Sequence, residues 1–236
     1  MNPNFHRTTL ILVIFLFFLQ GCAGTQQRRD VVETGFLSAS DHSMLKEGEG
    51  DEESLLRYIN PDADWRSYDK VILDSVTVWK NEETQDVSPE DLQVLTDFAY
   101  SHFHEALTKD YSIVGQPGPG VMHVALAITE AEASSVTADV VTSIIPQTRI
   151  LTGLKGYAVG GKPGFVGTAG MEAKITDAQT GKILVMAVDR RGGTKDWSGM
   201  TNDWNDVEKA YIYWAAGLRY RLCILRGGSS CVEPEA

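Results

Sequence analysis

The chain has 236 residues, 43% of them apolar, which is enough to enclose one sizeable core and too apolar for a disordered segment. Its formal net charge of −11 excludes nucleic acid and anionic membrane surfaces as electrostatic partners. No H-E-x-x-H, paired Cys-x-x-Cys or Gly-Lys-Ser/Thr phosphate loop occurs, so no metal, nucleotide or other cofactor is expected.

The first residues have the layout of an export leader: Arg7 supplies positive charge, residues 10–19 are almost wholly apolar, and Gly21 is small. That run is about half of the roughly 20 apolar residues a spanning helix needs, so removal of residues 1–21 is expected rather than retention as an anchor. Leu19, Gln20, Gly21 and Cys22 resemble the lipobox of bacterial lipoproteins. The resemblance implies acyl chains on Cys22, each buried CH₂ holding the bilayer by roughly 0.8 kcal/mol. Ala23 stands where Asp retains such proteins at the inner membrane, which implies a lipid-anchored position on the periplasmic face of the outer membrane.

Residues 22–33 carry Gln26, Gln27, Arg28, Arg29 and Asp30 and read as the acylated cysteine followed by a flexible tether. Residues 34–64 read as a strap, in which the acidic, glycine-containing stretch 47–54 is expected as a mobile loop. Phe36, Leu37, Leu45, Leu55 and Tyr58 flank it as docking points. Residues 65–226 read as a single α+β domain. Within it, residues 68–79 alternate and are rich in β-branched side chains, which predicts a first core strand. Ser88 as N-cap, Pro89 in the first turn, and Glu90 and Asp91 at the positive helix end predict a helix. Leu92, Leu95, Ala99, Phe103 and Leu107 line its apolar face.

Residues 111–114 predict a short strand, Pro117-Gly118-Pro119-Gly120 a turn, and residues 121–129 a third strand. Residues 172–176 and 183–189 predict a hairpin around Asp177-Ala178-Gln179-Thr180-Gly181, with Gly181 at the positive-φ position. Trp204, Val207, Tyr211, Trp214, Leu218, Leu222 and Leu225 then predict a long amphipathic helix. The order β-α-β-β, excursion, β-β-α predicts a mostly antiparallel sheet of about five strands covered by two main helices. Residues 227–236 form a C-terminal tail. With Cys22 acylated, Cys223 and Cys231 are an even pair in an oxidising compartment and are expected as a disulfide, two free thiols being the alternative.

Residues 131–164 interrupt this domain with Val140, Val141, Ile144, Ile145, Ile150 and Leu151 ahead of a glycine-rich stretch. Three readings compete: a core-packing element, a partner or self-association hairpin, and a membrane-inserting hairpin of an oligomer. Under the second, Ile144, Ile145, Ile150 and Leu151 are contact residues. Asp189, Arg190, Arg191 and Trp197 lie at a strand end and its loop, where they serve either as partner contacts or as structural salt bridges. His102 and His104, two apart on a helix, point away from each other and cannot chelate one metal. An envelope hydrolase would need Asp189, Asp196 and Glu172 clustered in one cleft.

Several segments, in this order, resemble a family of uncharacterised Gram-negative lipoproteins, the domain of unknown function three-three-one-three: Gly35-Phe36-Leu37, Tyr58 with Asn60-Pro61, Tyr68-Asp69-Lys70-Val71, Pro117-Gly118-Pro119-Gly120, and Asp177-Ala178-Gln179-Thr180-Gly181 with Asp189-Arg190-Arg191. The resemblance implies no assigned activity and no catalytic residues. The hairpin is also similar to those of periplasmic lipoproteins of the curli-secretion-channel and penicillin-binding-protein-activator kind. The sequence therefore leads to a non-enzymatic envelope lipoprotein that binds another envelope protein or itself. A subunit of an oligomeric export channel is the alternative, and a hydrolase the third reading.

Overall fold

The Asp177 side chain turns the chain back on itself: its Oδ1 accepts from the Thr180 N–H at 2.7 Å, the Thr180 hydroxyl at 2.8 Å and the Gln179 N–H at 3.0 Å. Gly181 completes the turn at φ +72°, a value that L side chains rarely adopt. The computed structural model describes residues 25–29, 34–50, 52–79, 84, 87–133, 167–193 and 204–235. In chain order its elements are β1 (Thr25–Gln27), α1 (Ala39–His42), β2 (Lys46–Glu47), β3 (Leu56–Ile59), a 3₁₀ turn (Trp65–Ser67), β4 (Lys70–Leu73) and β5 (Thr77–Val78). There follow α2 (Pro89–Thr108), β6 (Ser112–Ile113), β7 (Val121–Glu132), β8 (Thr168–Asp177), β9 (Ile183–Gly193) and α3 (Asn205–Leu225).

Among the described residues all nine strands join one sheet in the order β2-β3-β9-β8-β7-β4-β6, with β1 also on β9 and β5 also on β7. The fold is α+β, but its sheet is larger than the five or so strands expected from sequence. The strands β1, β2 and β3 pair antiparallel at one side, whereas β4, β5 and β6 run parallel to their neighbours. Parallel neighbours need a crossover, and α2 supplies it between β5 and the β6–β7 segment. Ser88 caps that helix by accepting from the Asp91 N–H.

Local sequence signals were least informative where long-range pairing takes over. Residues 68–79 form two strands rather than one, because Leu73 pairs with Val124 while Thr77 pairs with Ala127, leaving one extra residue on their side. The hairpin arms run past residues 172 and 189, to Thr168 and Gly193, and β7 continues to Glu132. Thr25–Gln27 is not a free tether: it pairs with Gly193, Gly192 and Arg191 of β9, and Thr25 is buried. The described residues of the acidic stretch form the β2–β3 turn. There the Glu53 carboxylate accepts from the Glu49 N–H at 2.7 Å and pairs with Arg57 at 2.7 Å, so its charge is satisfied locally.

Both long helices pack on one face of the sheet. Leu95, Phe103, Leu107, Tyr211 and Leu222 meet Val124, Leu126 and Ile128 in the main core. On the opposite face Leu37 covers Met186 and Val188, flanked by Phe36, Leu45, Leu56 and Tyr58. The tail returns to α3 through a disulfide between Cys223 and Cys231. Residues 1–21, Cys22 and most of the 131–164 excursion lie outside the described residues, although Ala131 and Glu132 belong to β7.

Candidate functional site: a charged end of the sheet

Register places Arg190 and its neighbours in rows across the sheet. Glu130, Gly170 and Arg190 form one row, and Glu132, Thr168, Gly192 and Gln26 the next on the same face. Arg190 reaches across Gly170 to Glu130, donating from Nε to Oε2 and from Nη2 to Oε1 at 2.6 Å. Thr168 adds its hydroxyl to the Glu130 carboxylate at 2.5 Å. Gly170 is required between them: a Cβ there would come within 2.8 Å of Thr129 Oγ1 and 2.9 Å of Glu130 Cβ. Gly193 similarly makes room for the buried Asp206 carboxylate, which would lie 2.3 Å or less from an added Cβ.

The other face carries a second charged group. Asp189 accepts from the Trp214 indole at 2.6 Å, the Gln27 amide at 2.9 Å and the Leu55 N–H at 3.2 Å. Arg191 lies 3.6 Å from Asp189, with its guanidinium 3.7 Å above the Tyr213 ring and an N–H on the Thr25 carbonyl at 3.2 Å. Back on the face of Glu130 and Arg190, Glu172 is fully buried and holds the strap, accepting from the Thr34 hydroxyl at 2.6 Å and the Leu37 N–H at 2.8 Å. His42 lies 4.0 Å away.

These placements bear on two of the sequence readings. Asp189, Arg190 and Arg191 are 6%, 9% and 1% exposed, so they tie the sheet to helix and strap rather than present a contact surface. They are buried because β9 does not end at Asp189 but runs on beneath α3 and β1. The hydrolase grouping is not assembled either. Glu172 pairs with Val188 and Met171 with Asp189, so strand alternation puts the two carboxylates on opposite faces. Trp197, Asp196, Ile144, Ile145, Ile150 and Leu151 fall outside the described residues.

His102 and His104 rest on Phe98 and Tyr100 of their own helix, and His123 bonds Asp74 at 2.8 Å. Sequence reasoning missed Glu130 and Thr168 because their partners are dozens of residues away. The available signal was a glutamate inside an otherwise apolar strand, in Ala127-Ile128-Thr129-Glu130-Ala131.

Residues 33–218 match the family described as "Protein of unknown function (DUF3313)". The chain belongs to this family. No curated protein matches it significantly. Among solved structures, the PelC dodecamer from Paraburkholderia phytofirmans is similar at 8% identity and TM-score 0.37, covering 74% of this chain and 96% of that one. The protein XCC0632 from Xanthomonas campestris, of the DUF330 family, is similar at 11% identity and TM-score 0.40, over 72% and 92% of the two chains. The protein CT253 from Chlamydia trachomatis is similar at 10% identity and TM-score 0.38, over 67% and 99%. Their likeness is confined to general outline. Among the described residues no helix is long and apolar enough to cross a membrane, and no group of three His, Cys, Asp or Glu is placed to hold a metal.

Proposed function

We propose that this family member is a non-enzymatic binding or assembly module of the cell envelope, held on the periplasmic face of the outer membrane by acyl chains on Cys22. One observation carries the reading. Thr25 pairs with Gly193, and Gln26, Gly192, Thr168 and Glu132 form the adjoining row. The anchor side of the chain, both borders of the apolar 134–166 segment and the start of the Trp197 segment therefore meet at one end of the sheet. Two residues separate Cys22 from Thr25, so the three steps between them reach at most about 11 Å. Docked β1 would hold that end close to the lipid instead of on a long leash.

The paired charges at this end support a structural role for Asp189, Arg190, Arg191, Glu130 and Glu172. Contact with another envelope protein or a second copy then falls to the apolar segment with Ile144, Ile145, Ile150 and Leu151. Fractionation of Cys22→Ala cells tests the anchor: release from the outer membrane is expected, and full retention overturns it. Light scattering coupled to size exclusion, with and without residues 134–166, tests the assembly. Loss of a discrete complex with the fold retained is expected, and an unchanged mass and unchanged in-cell crosslinks overturn that part.

A further inference from the structure

The helix-facing side of the sheet carries a cleft that the packing of α2 and α3 does not fill. Its floor is three rows: Ile175, Val185 and Ile59; Leu126, Ala173, Ala187 and Arg57; and Met171 and Asp189. The two alanines in the middle row hollow it. Ala173, Val185 and Ala187 accordingly stay partly accessible in mid-sheet, as does Leu218 of α3 above them. The cleft is open to solvent along one side, and its enclosed part is narrow. From Trp214 to Leu225 it follows α3 for about 16 Å, at 1.5 Å rise per residue.

The polar groups on its lining are few: Ser54, Arg57, Asp189 and Arg221. Asp189 is occupied by Trp214, Gln27 and Leu55. Arg57 is balanced by Glu53. Arg221 donates to the neutral carbonyl of Glu52 and has no carboxylate partner among the described residues. A guanidinium with no counter-charge among the described residues thus borders a narrow apolar slot, on a chain whose net charge is −11. We infer that this cleft binds a single acyl chain with an anionic head, the chain lying over Ala173 and Ala187 and the head meeting Arg221. The inference goes beyond the envelope-module reading and does not rest on the Cys22 anchor.

Trp214 lines the cleft and reports on occupancy. The exported chain, carrying Cys22→Ala behind a cleavable leader and purified without detergent, is titrated with 12-bromododecanoate while tryptophan fluorescence is followed. Saturable quenching is expected. Ala187→Phe, which fills the slot, should weaken it at least tenfold. Arg221→Glu should weaken the carboxylate several-fold while leaving 12-bromododecanol unchanged. Absence of saturable quenching overturns the proposal, as does equal affinity for the carboxylate and a bromododecyl-trimethylammonium probe. Quenching that appears only on dilution of a dimer would assign the cleft to a second copy and overturn it equally. Should Ala187→Phe fail to fold, the rim substitution Arg221→Glu supplies the deciding comparison.

Discussion

Trp214 donates its indole N–H to Asp189 Oδ2 at 2.6 Å, joining the C-terminal helix to β9. Both partners are buried, and the same carboxylate also receives Gln27 from β1 and the Leu55 N–H ahead of β3. One side chain therefore holds three separate parts of the chain. Asp189→Ala should cost about 3–5 kcal/mol, because it removes a buried charge that accepts from Trp214, Gln27 and Leu55 at once. Trp214→Phe should cost less, about 1–3 kcal/mol, since Asp189 keeps its other donors. Urea unfolding of both variants checks the order, and an Asp189→Ala cost below that of Trp214→Phe would contradict it.

The Arg190–Glu130 pair makes a different prediction. Arg190→Met removes the guanidinium donors from the buried Glu130 carboxylate and should destabilise by about 3–5 kcal/mol, whereas adding Glu130→Met should restore most of that loss. The double-mutant cycle gives the coupling directly. Gly170→Val should mimic the single loss, since its side chain would occupy the space through which Arg190 reaches Glu130.

Glu172 holds the strap through Thr34 and Leu37. Glu172→Ala should leave the Leu37 N–H and the Thr34 hydroxyl without their acceptor and cost about 1–3 kcal/mol. Loosening should be local, so limited proteolysis should cut near residues 34–45 well before the core unfolds. Simultaneous cleavage throughout the chain would show that the strap is not a separate unit.

Two groups at the β8–β9 turn link stability to pH. Burial, reinforced by the neighbouring Asp177 carboxylate, pushes the Tyr68 phenol up from 10.0 to about 12. Its contribution is complete below pH 10 and is lost as the pH rises from 10 through about 12. Burial alone would raise Asp177, but hydrogen bonds from Thr180, Tyr68 and Gln179 outweigh it and hold the carboxyl below its ordinary 3.8. That contribution is present above pH 3.8 and lost as the pH falls further. Thermal melts across pH should show both limbs, and Tyr68→Phe should flatten the alkaline one.

The Cys223–Cys231 bridge spans a separation of 8 residues. A loop this short restrains the unfolded chain modestly, so its loss should cost about 2 kcal/mol. Cys223→Ser with Cys231→Ser, compared by chemical denaturation with the oxidised parent, measures it.

What the sequence determined by itself is local chemistry. Ser88 with Pro89 started α2, and Asp177 with Gly181 made the hairpin turn, because cap and turn preferences act over a few residues. The family resemblance was legible for the same reason, as a series of short segments. Which face each charge occupies was decided only by tertiary register. Asp189 reads in sequence as a strand end, but β9 continues past it beside β1, and the Gln27 side chain, 162 residues earlier, donates to its carboxylate. Arg57 and Arg221 lie on distant elements, and nothing in either neighbourhood predicts a shared cleft. It exists because antiparallel pairing aligned Ala173 with Ala187 beneath α3, and a hollow between side chains has no local signature in the chain.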